Sequence, residues 1–359
     1  MRAIDKILKI AIEAKASDVH LINNVNPVIR VDGELVRLTD FSVNDIDSLR
    51  SFILELLNDE ELKEYETNKY YDSSFQYENS RFRLHIYREM RCDAVSLRLI
   101  PTVIPTFAEM NLPQVLRKFS TIENGLVLVA GVTGSGKSTT LAAIIDEINK
   151  HYSKHIITVE NPVEFIHRHN KSIINQREVG TDVLSFSDAV SSAMREDPDI
   201  ILLGELRDLD TIANAITMAE TGHLVFGTLH TRSVADTVDR LIDVFPANQQ
   251  EQIRVQLSNS LQGIICQKLV PKIGGGRVPC CEIMFQSDAI RSLIRDHSSP
   301  NVINDAIFSS SRKTGAQTNV QALAKLVVSK LITKDFASKG LDESDLELLN
   351  KMIVTIQSK

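Results

Sequence analysis

From residue 125 onward the chain alternates short, unbroken apolar runs with longer amphipathic stretches. LVLVA, HIITVE, DIILLGE and HLVFGTLH are the four clearest runs, and none of them alternates polar with apolar positions. Strands of that kind are covered on both faces, so the pattern predicts a parallel sheet under helices, an α/β core. The first hundred residues have another rhythm. MRAIDKILKIAIEAK carries apolar residues at helical spacing, and NPVIRVDGELVRL sets a DG turn between two apolar runs, the signature of a β-hairpin. NDIDSLRSFILELLNDEELKEY returns to the helical period, and SRFRLHIYREMRCDAVSLRLI alternates as antiparallel strands do. This predicts a small α+β unit. Pro101, Pro105 and Pro113 follow within a short stretch, and because each ring removes a backbone donor, a linker is expected there. Beyond residue 246 the pattern predicts mainly helices: NQQEQIRVQLSNSLQGIICQKL, then SDAIRSLIRD, then a last set to the end of the chain.

Composition narrows the function classes. A chain of 359 residues that is 43% hydrophobic can bury two moderate cores. Lys plus Arg number 40 against 47 Asp plus Glu, a net charge of −7, which supplies no general attraction to nucleic acid or to an anionic membrane surface. The N-terminal stretch interleaves charges with apolar residues and lacks the unbroken apolar run of a signal peptide or membrane span, so a cytosolic protein is expected. Cys92, Cys266, Cys280 and Cys281 contain no CxxC pair, so neither a zinc ribbon nor a redox dithiol is supported, and reduced, mostly buried thiols are expected.

The sharpest chemistry lies at GVTGSGKS, Gly131 to Ser138. It follows the apolar run LVLVA and precedes the helical stretch STTLAAIIDEINK, the context in which this pattern forms a P-loop. Its fixed positions would arise by chance in about one of a hundred chains of this length at average residue usage. Glycines there let backbone N–H groups face phosphates at a helix N-terminus. The expected nucleotide contacts are Gly131, Thr133, Gly134, Ser135, Gly136, Lys137, Ser138 and Thr139, with ATP and Mg²⁺ as cofactors; Lys137 reaches the β and γ phosphates and Ser138 ligates the metal.

A P-loop needs a carboxylate at a neighbouring strand end to order metal and water. Glu205 closes the apolar run DIILLGE in the Walker B manner, which makes it the second metal candidate. Glu160 closes HIITVE, at the sheet edge where α/β proteins bind ligands. For both, the alternative is a solvated strand terminus. His223 and His230 flank LVFGTL; a lone histidine is commonly structural, and only His230, at the carboxyl end of its run, has a position that favours a role at the nucleotide.

The stretch AMREDPDIILLGELRDLDTIANAITMAETGHLVFGTLHTRSVADTVDRLIDVFP resembles the core of the type II/type IV secretion ATPases, and within them the motors that retract type IV pili. KASDVHL resembles the family's SDxHL opening, TVENPVEF its aspartate box and GHLVFGTLHT its histidine box. Ala289 to Asp296, AIRSLIRD, resembles the AIRNLIRE segment of retraction motors. Assembly motors carry a further N-terminal domain and a four-cysteine zinc motif, for which this chain has neither room nor cysteines, so a retraction motor is expected. The resemblance implies a PAS-like N-terminal domain over 1–100, a linker over 101–113, a RecA-like P-loop ATPase core over 114–288 and a helical C-terminal subdomain over 289–359. It implies a homohexamer with nucleotide between domains, in which Glu160 polarises the attacking water and Glu205 helps order Mg²⁺. Arg83 in RFRL and Arg98 in SLRL match two family positions that neutralise the transferring phosphate, a role suited to a planar, always charged guanidinium; the alternative is a pair of exposed strand arginines.

The function so implied is a Mg²⁺-dependent ATPase powering pilus disassembly and twitching motility. It would work at the cytoplasmic face of the inner membrane, reaching the membrane only through a pilus platform protein and binding no nucleic acid. Rival readings are an accessory retraction motor, a related secretion or DNA-uptake filament motor, a nucleic-acid translocase, and a weakly hydrolysing nucleotide-binding regulator. Two departures from the family stand out. Asn161 follows Glu160 where the family has Asp, removing a carboxylate, and Val132 replaces a common Pro at a position that contributes backbone.

Overall fold

The computed structural model describes residues 3–23, 25–31, 33–41, 49–78, 80–100 and 103–358. Asp32 of the expected DG turn, residues 44–48 of the expected helix and Pro101 of the expected linker lie outside them. By contacts the chain forms two compact units, Met1–Val103 with Glu164–Ile166, and Ile104–Val163 with His167–Lys359.

The N-terminal unit runs α1 (Ala3–Glu13), β1 (Asp18–Ile22), β2 (Val28–Val31), β3 (Glu34–Arg37), α2 (Leu49–Leu56), α3 (Asp59–Asn68), β4 (Tyr70–Tyr77), β5 (Ser80–Glu89) and β6 (Cys92–Ile100). Its strands pair antiparallel in the order β3-β2-β1-β6-β5-β4. Helix α1 buries Ile4, Ile7, Leu8 and Ala11, one stripe at helical spacing, and α2 adds Leu49, Phe52 and Ile53. These pack on alternate sheet residues, Val19, Leu21, Ile29, Phe82, Leu84, Ile86, Val95 and Leu97. The period of two therefore turns Asp18, His20, Arg83, His85, Ser96 and Arg98 to the opposite face. Helix α3 is started by a capping box, with Asn58 accepting from Glu61 N while the Glu61 side chain accepts from Asn58 N. This is an α+β unit with helices on one face of an antiparallel sheet.

The C-terminal unit opens with a 3₁₀ helix over Gln114–Thr121 and continues through β7 (Gly125–Ala130), α4 (Lys137–His151), β8 (His155–Glu160), β9 (Ile173–Glu178), α5 (Phe186–Ala193), β10 (Ile200–Leu203), α6 (Leu209–Glu220), β11 (Leu224–Leu229), α7 (Val234–Asp243), α8 (Ala247–Ser260), β12 (Leu261–Pro271) and β13 (Arg277–Phe285). Helices α9 (Asp288–Arg295), α10 (Pro300–Thr314), α11 (Asn319–Val328), α12 (Lys334–Ser338) and α13 (Glu343–Gln357) close it. The strand order is β13-β12-β7-β11-β10-β8-β9, parallel from β12 to β9 with β13 antiparallel at the edge. Leu126, Leu128 and Ala130 of β7 face a core shared with α5 to α10, whereas Val127 and Val129 face one shared with α4 and the 3₁₀ helix. Both faces are covered, which is why these strands show no polar alternation. Helix α9 buries Ile290 and Ile294 in the first of these cores, so these two positions of AIRSLIRD serve packing, while Leu293 is half-buried against the core and Ala289 is exposed.

Three expectations change. The helix expected across 248–269 stops at Ser260, and Leu261–Pro271 is a strand. Apolar residues at 253, 257 and 261 do keep a helical period, but β7 has an open edge that Leu261–Cys266 fills by parallel pairing, and this tertiary demand outweighs the local pattern. The return strand β13 follows a turn through Gly274, Gly275 and Gly276, all at positive φ, a signal readable in GGG. Strand β9, outside the four expected runs, pairs in parallel with β8 at the other edge; IINQRE has too few apolar residues to announce itself. The third run ends at Leu203, two residues before Glu205.

Candidate nucleotide site

Strand β7 ends at Ala130 and α4 begins at Lys137, so the loop between them lies at the carboxyl edge of the sheet. Gly131 and Gly136 have φ of 149° and 86°. A Cβ at Gly131 would meet Gln267 O at 2.3 Å and Ser135 Oγ at 2.5 Å, and one at Gly136 would meet Gln267 Nε2 at 2.9 Å. Both glycines are therefore dictated by close approach to β12 as well as by backbone conformation. Gln267 itself is 3% exposed; its Nε2 donates to Ser135 O at 2.7 Å and its Oε1 accepts from Thr140 Oγ1 at 2.8 Å. The neighbouring strand thus ties the loop to the first turn of α4. Ser135 Oγ is buried with no hydrogen-bond partner, a donor left for an anion in a loop whose helix-start amides already favour one. Thr133 and Gly134 form the exposed tip, and Ser138 and Thr139 are half-buried in the first turn.

Lys137 is buried, its Nζ donating to Gly131 O at 2.7 Å and Val132 O at 3.2 Å and lying 3.5 Å from His230 Nδ1. His230 Nε2 is 3.2 Å from Glu205 Oε1. The ring thus presents one nitrogen to each neighbour, Nδ1 to Lys137 and Nε2 to Glu205. Arg207 Nε is also 2.5 Å from Glu205 Oε1. Partial burial pushes the Glu205 carboxyl up, but Arg207 and then His230 outweigh it and hold the group below its ordinary value. Glu205 is therefore a carboxylate at neutral pH. Gly204, just before it, is fixed between two strands: its N donates to Val159 O of β8 at 2.8 Å, and its O accepts from the Thr228 hydroxyl of β11. Glu160 ends β8, and a Cβ on Gly204 would come within 3.2 Å of its Cα. Its Oε1 accepts from Thr158 Oγ1 at 2.7 Å and Gln176 Nε2 at 3.3 Å, which orients the carboxylate. Asn161 is exposed.

The structure thus gathers Lys137, His230 and Glu205 into one chain of contacts, with Glu160 on the adjoining strand end. His223 is not among them: it sits at the other end of β11, where its Nδ1 lies 3.2 Å from Met218 O, closing the turn after α6. Arg83 and Arg98 belong to the N-terminal unit. They stand directly opposite each other on β5 and β6 and line a depression of about 320 Å³ with Asp18, Asp72, His85 and Ser96. Arg98 Nε donates to Asp18 Oδ1 at 2.8 Å. Burial raises the Asp18 carboxyl, yet the Arg98 and Ser17 bonds bring it below its ordinary value. SDVHL therefore has a physical reading: Asp18 holds Arg98, and His20 Nδ1 lies 3.2 Å from Ser96 Oγ. Gln267, Thr158, Gln176 and Arg207 were not singled out from the sequence; only Gln267, a polar residue inside IICQKLV, had a signal to find.

Mg²⁺ held with a triphosphate takes one or two protein oxygens and completes its shell with phosphates and water. An ionised Glu205 and the Ser138 hydroxyl are donors of the right kind and number. The three-layered sheet, the glycine cradle, the lysine and the strand-end carboxylates define a RecA-like P-loop ATPase.

The chain belongs to the type II/IV secretion system protein family, whose model matches residues 1–329. The type IV pilus retractation ATPase PilT of Pseudomonas aeruginosa is 44% identical over 335 residues, 93% of this chain and 96% of that one. A twitching motility protein of Neisseria gonorrhoeae is 42% identical over 323 residues, 89% of this chain and 85% of that one. The crystal structure of the pilus retraction motor PilT with bound ADP superimposes with a TM-score of 0.88 at 44% identity, covering 96% of this chain and 99% of that chain.

Proposed function

We propose that this chain is the ATP-hydrolysing subunit of a type IV pilus retraction motor, a Mg²⁺-dependent homohexamer acting at the cytoplasmic face of the inner membrane through a platform protein. The observation that carries the reading is the linked trio Lys137, His230 and Glu205 beside Glu160, on a chain similar over nearly its whole length to a pilus retraction ATPase. Among the described residues no helix is long and apolar enough to cross a membrane, and a partner protein is the route by which the motor would reach one.

In this reading the α4 amides and Lys137 bind the β and γ phosphates, and Ser138 and Glu205 hold Mg²⁺, which when bound neutralises phosphate charge. Glu160, oriented by Thr158 and Gln176, draws the proton from the attacking water. His230 keeps Glu205 and Lys137 in register, so that a change at the γ phosphate is felt at the end of β11. Arg83 and Arg98 complete the site by stabilising charge on the transferring phosphoryl group, the largest task such chemistry sets a protein. Deleting the gene and counting surface pili tests the direction of work: a retraction motor leaves cells with more pili and less twitching. Fewer pili would mark an assembly motor.

A further inference from the structure

The segment that leaves β11 at His230 and becomes α7 at Val234 is held by one cross-strand pair of the β12–β13 hairpin. Cys266 and Glu282 lie directly opposite each other. The Cys266 thiol donates to Thr231 O at 3.8 Å, and Glu282 Oε2 accepts from Val234 N at 3.1 Å. Ser233 caps α7 by accepting from Asp236 N, and the Thr231 and Thr237 hydroxyls are 2.6 Å apart. Glu282 is an unexpected choice in this place, because it is 6% exposed and removing a carboxylate from water is costly unless something compensates. The first amide of α7, at the positive end of the helix dipole, is the compensation the structure provides.

We propose that Glu282 is a positioning residue for the phosphate site, holding the start of α7 so that His230 keeps its reach to Lys137 and Glu205. This rests on the ATPase reading above. The groups around Glu282 come from several elements. Asp236 of α7 disfavours its charge and Lys268 of β12 favours it, while the Cys266 and Cys280 thiols, pushed by burial to about 12 and about 11, stay neutral. Glu282 also lines a cavity of about 920 Å³ together with Arg232, Asp305 of α10, Asp342, which caps α13, and Asp345 of α13. Burial first, with Asp236 adding, pushes its carboxyl up to about 7 against the Val234 amide and Lys268. An ionised Glu282 makes the stronger bond to Val234 N. Hydrolysis should therefore rise with pH as this group loses its proton.

The test is steady-state ATP hydrolysis by the full chain from about pH 6 to pH 8.5, comparing wild type, Glu282→Gln and Glu282→Ala, with melting temperatures taken at each pH. Glutamine keeps the acceptor and removes the ionisation. Glu282→Gln should lose the rise in kcat near neutral pH and stay at the low-pH level, with KM for ATP little changed. Glu282→Ala should lower kcat about tenfold at every pH, the scale expected of a misplaced site group. Two results overturn the proposal: variants with the wild-type profile and kcat, or variants that lose activity only in proportion to lost melting temperature while keeping the pH rise. A wild-type chain that hydrolyses no ATP would instead remove the ATPase reading, and the proposal with it.

Discussion

Lys137 illustrates how far one side chain can be read alone. Its place in GSGKS announces a phosphate ligand, but its present partners, Gly131 O, Val132 O and His230 Nδ1, belong to the fold. An ammonium needs acceptors when buried, and phosphate oxygens are stronger acceptors than carbonyls. Lys137→Ala should abolish ATP hydrolysis; undiminished turnover by that purified variant would remove Lys137 from the site. At the same scale His167 sets an acid limit on stability. Burial first, and against it only a weak pull from Asp146, lowers the ring from its ordinary 6.5 to about 4, and its Nδ1 has no hydrogen-bond partner. The unfolded chain therefore takes up a proton near pH 6.5 and the folded one only near 4. Stability is full above 6.5 and falls as pH drops toward 4, by on the order of 3 kcal/mol. His167→Gln should flatten that part of the curve in urea unfolding measured at successive pH values. An unchanged slope would show that another group titrates there.

Among the elements, β12 most separates the sequence reading from the structure. Taken as the tail of a helix, IICQKL offers no function; as a strand beside β7 it delivers Gln267 to the back of the phosphate loop. Gln267→Ala would leave Ser135 O and Thr140 Oγ1 without that partner in a buried place, a loss of about 1–3 kcal/mol. It should also weaken nucleotide binding, since the loop and the first turn of α4 are no longer tied together. Calorimetry and titration with a fluorescent ATP analogue measure the two effects, and a variant with lowered melting temperature but full nucleotide affinity would confine Gln267 to packing. The strands β7, β8, β10 and β11 were legible because each is an apolar run covered on both faces. Strands β9 and β12 were not, because an edge position and a helical period masked them.

At the scale of the whole molecule, the role proposed for Arg83 and Arg98 in phosphoryl transfer makes a prediction about mixed assemblies. If a hexamer brings arginines of one subunit to the nucleotide of the next, Arg83→Ala and Lys137→Ala chains, each inactive alone, should regain part of the activity when mixed and reassembled, since some interfaces then carry both intact residues. No recovery on mixing would mean the arginines act within their own chain or not at all. Relatedness along nearly the whole chain to retraction ATPases makes this shared arrangement the one to test first. By itself the sequence determined the P-loop, the strand-end carboxylates, the α/β core and the family, because these depend on local spacing and on residue types that chemistry cannot exchange. Only the tertiary structure decided that His230 joins Lys137 to Glu205, that Gln267 braces the loop, that Asp18 holds Arg98 and that Glu282 lies under α7. Each of these is a contact between residues distant in the chain, and pairing of strands, not the local pattern, sets such contacts.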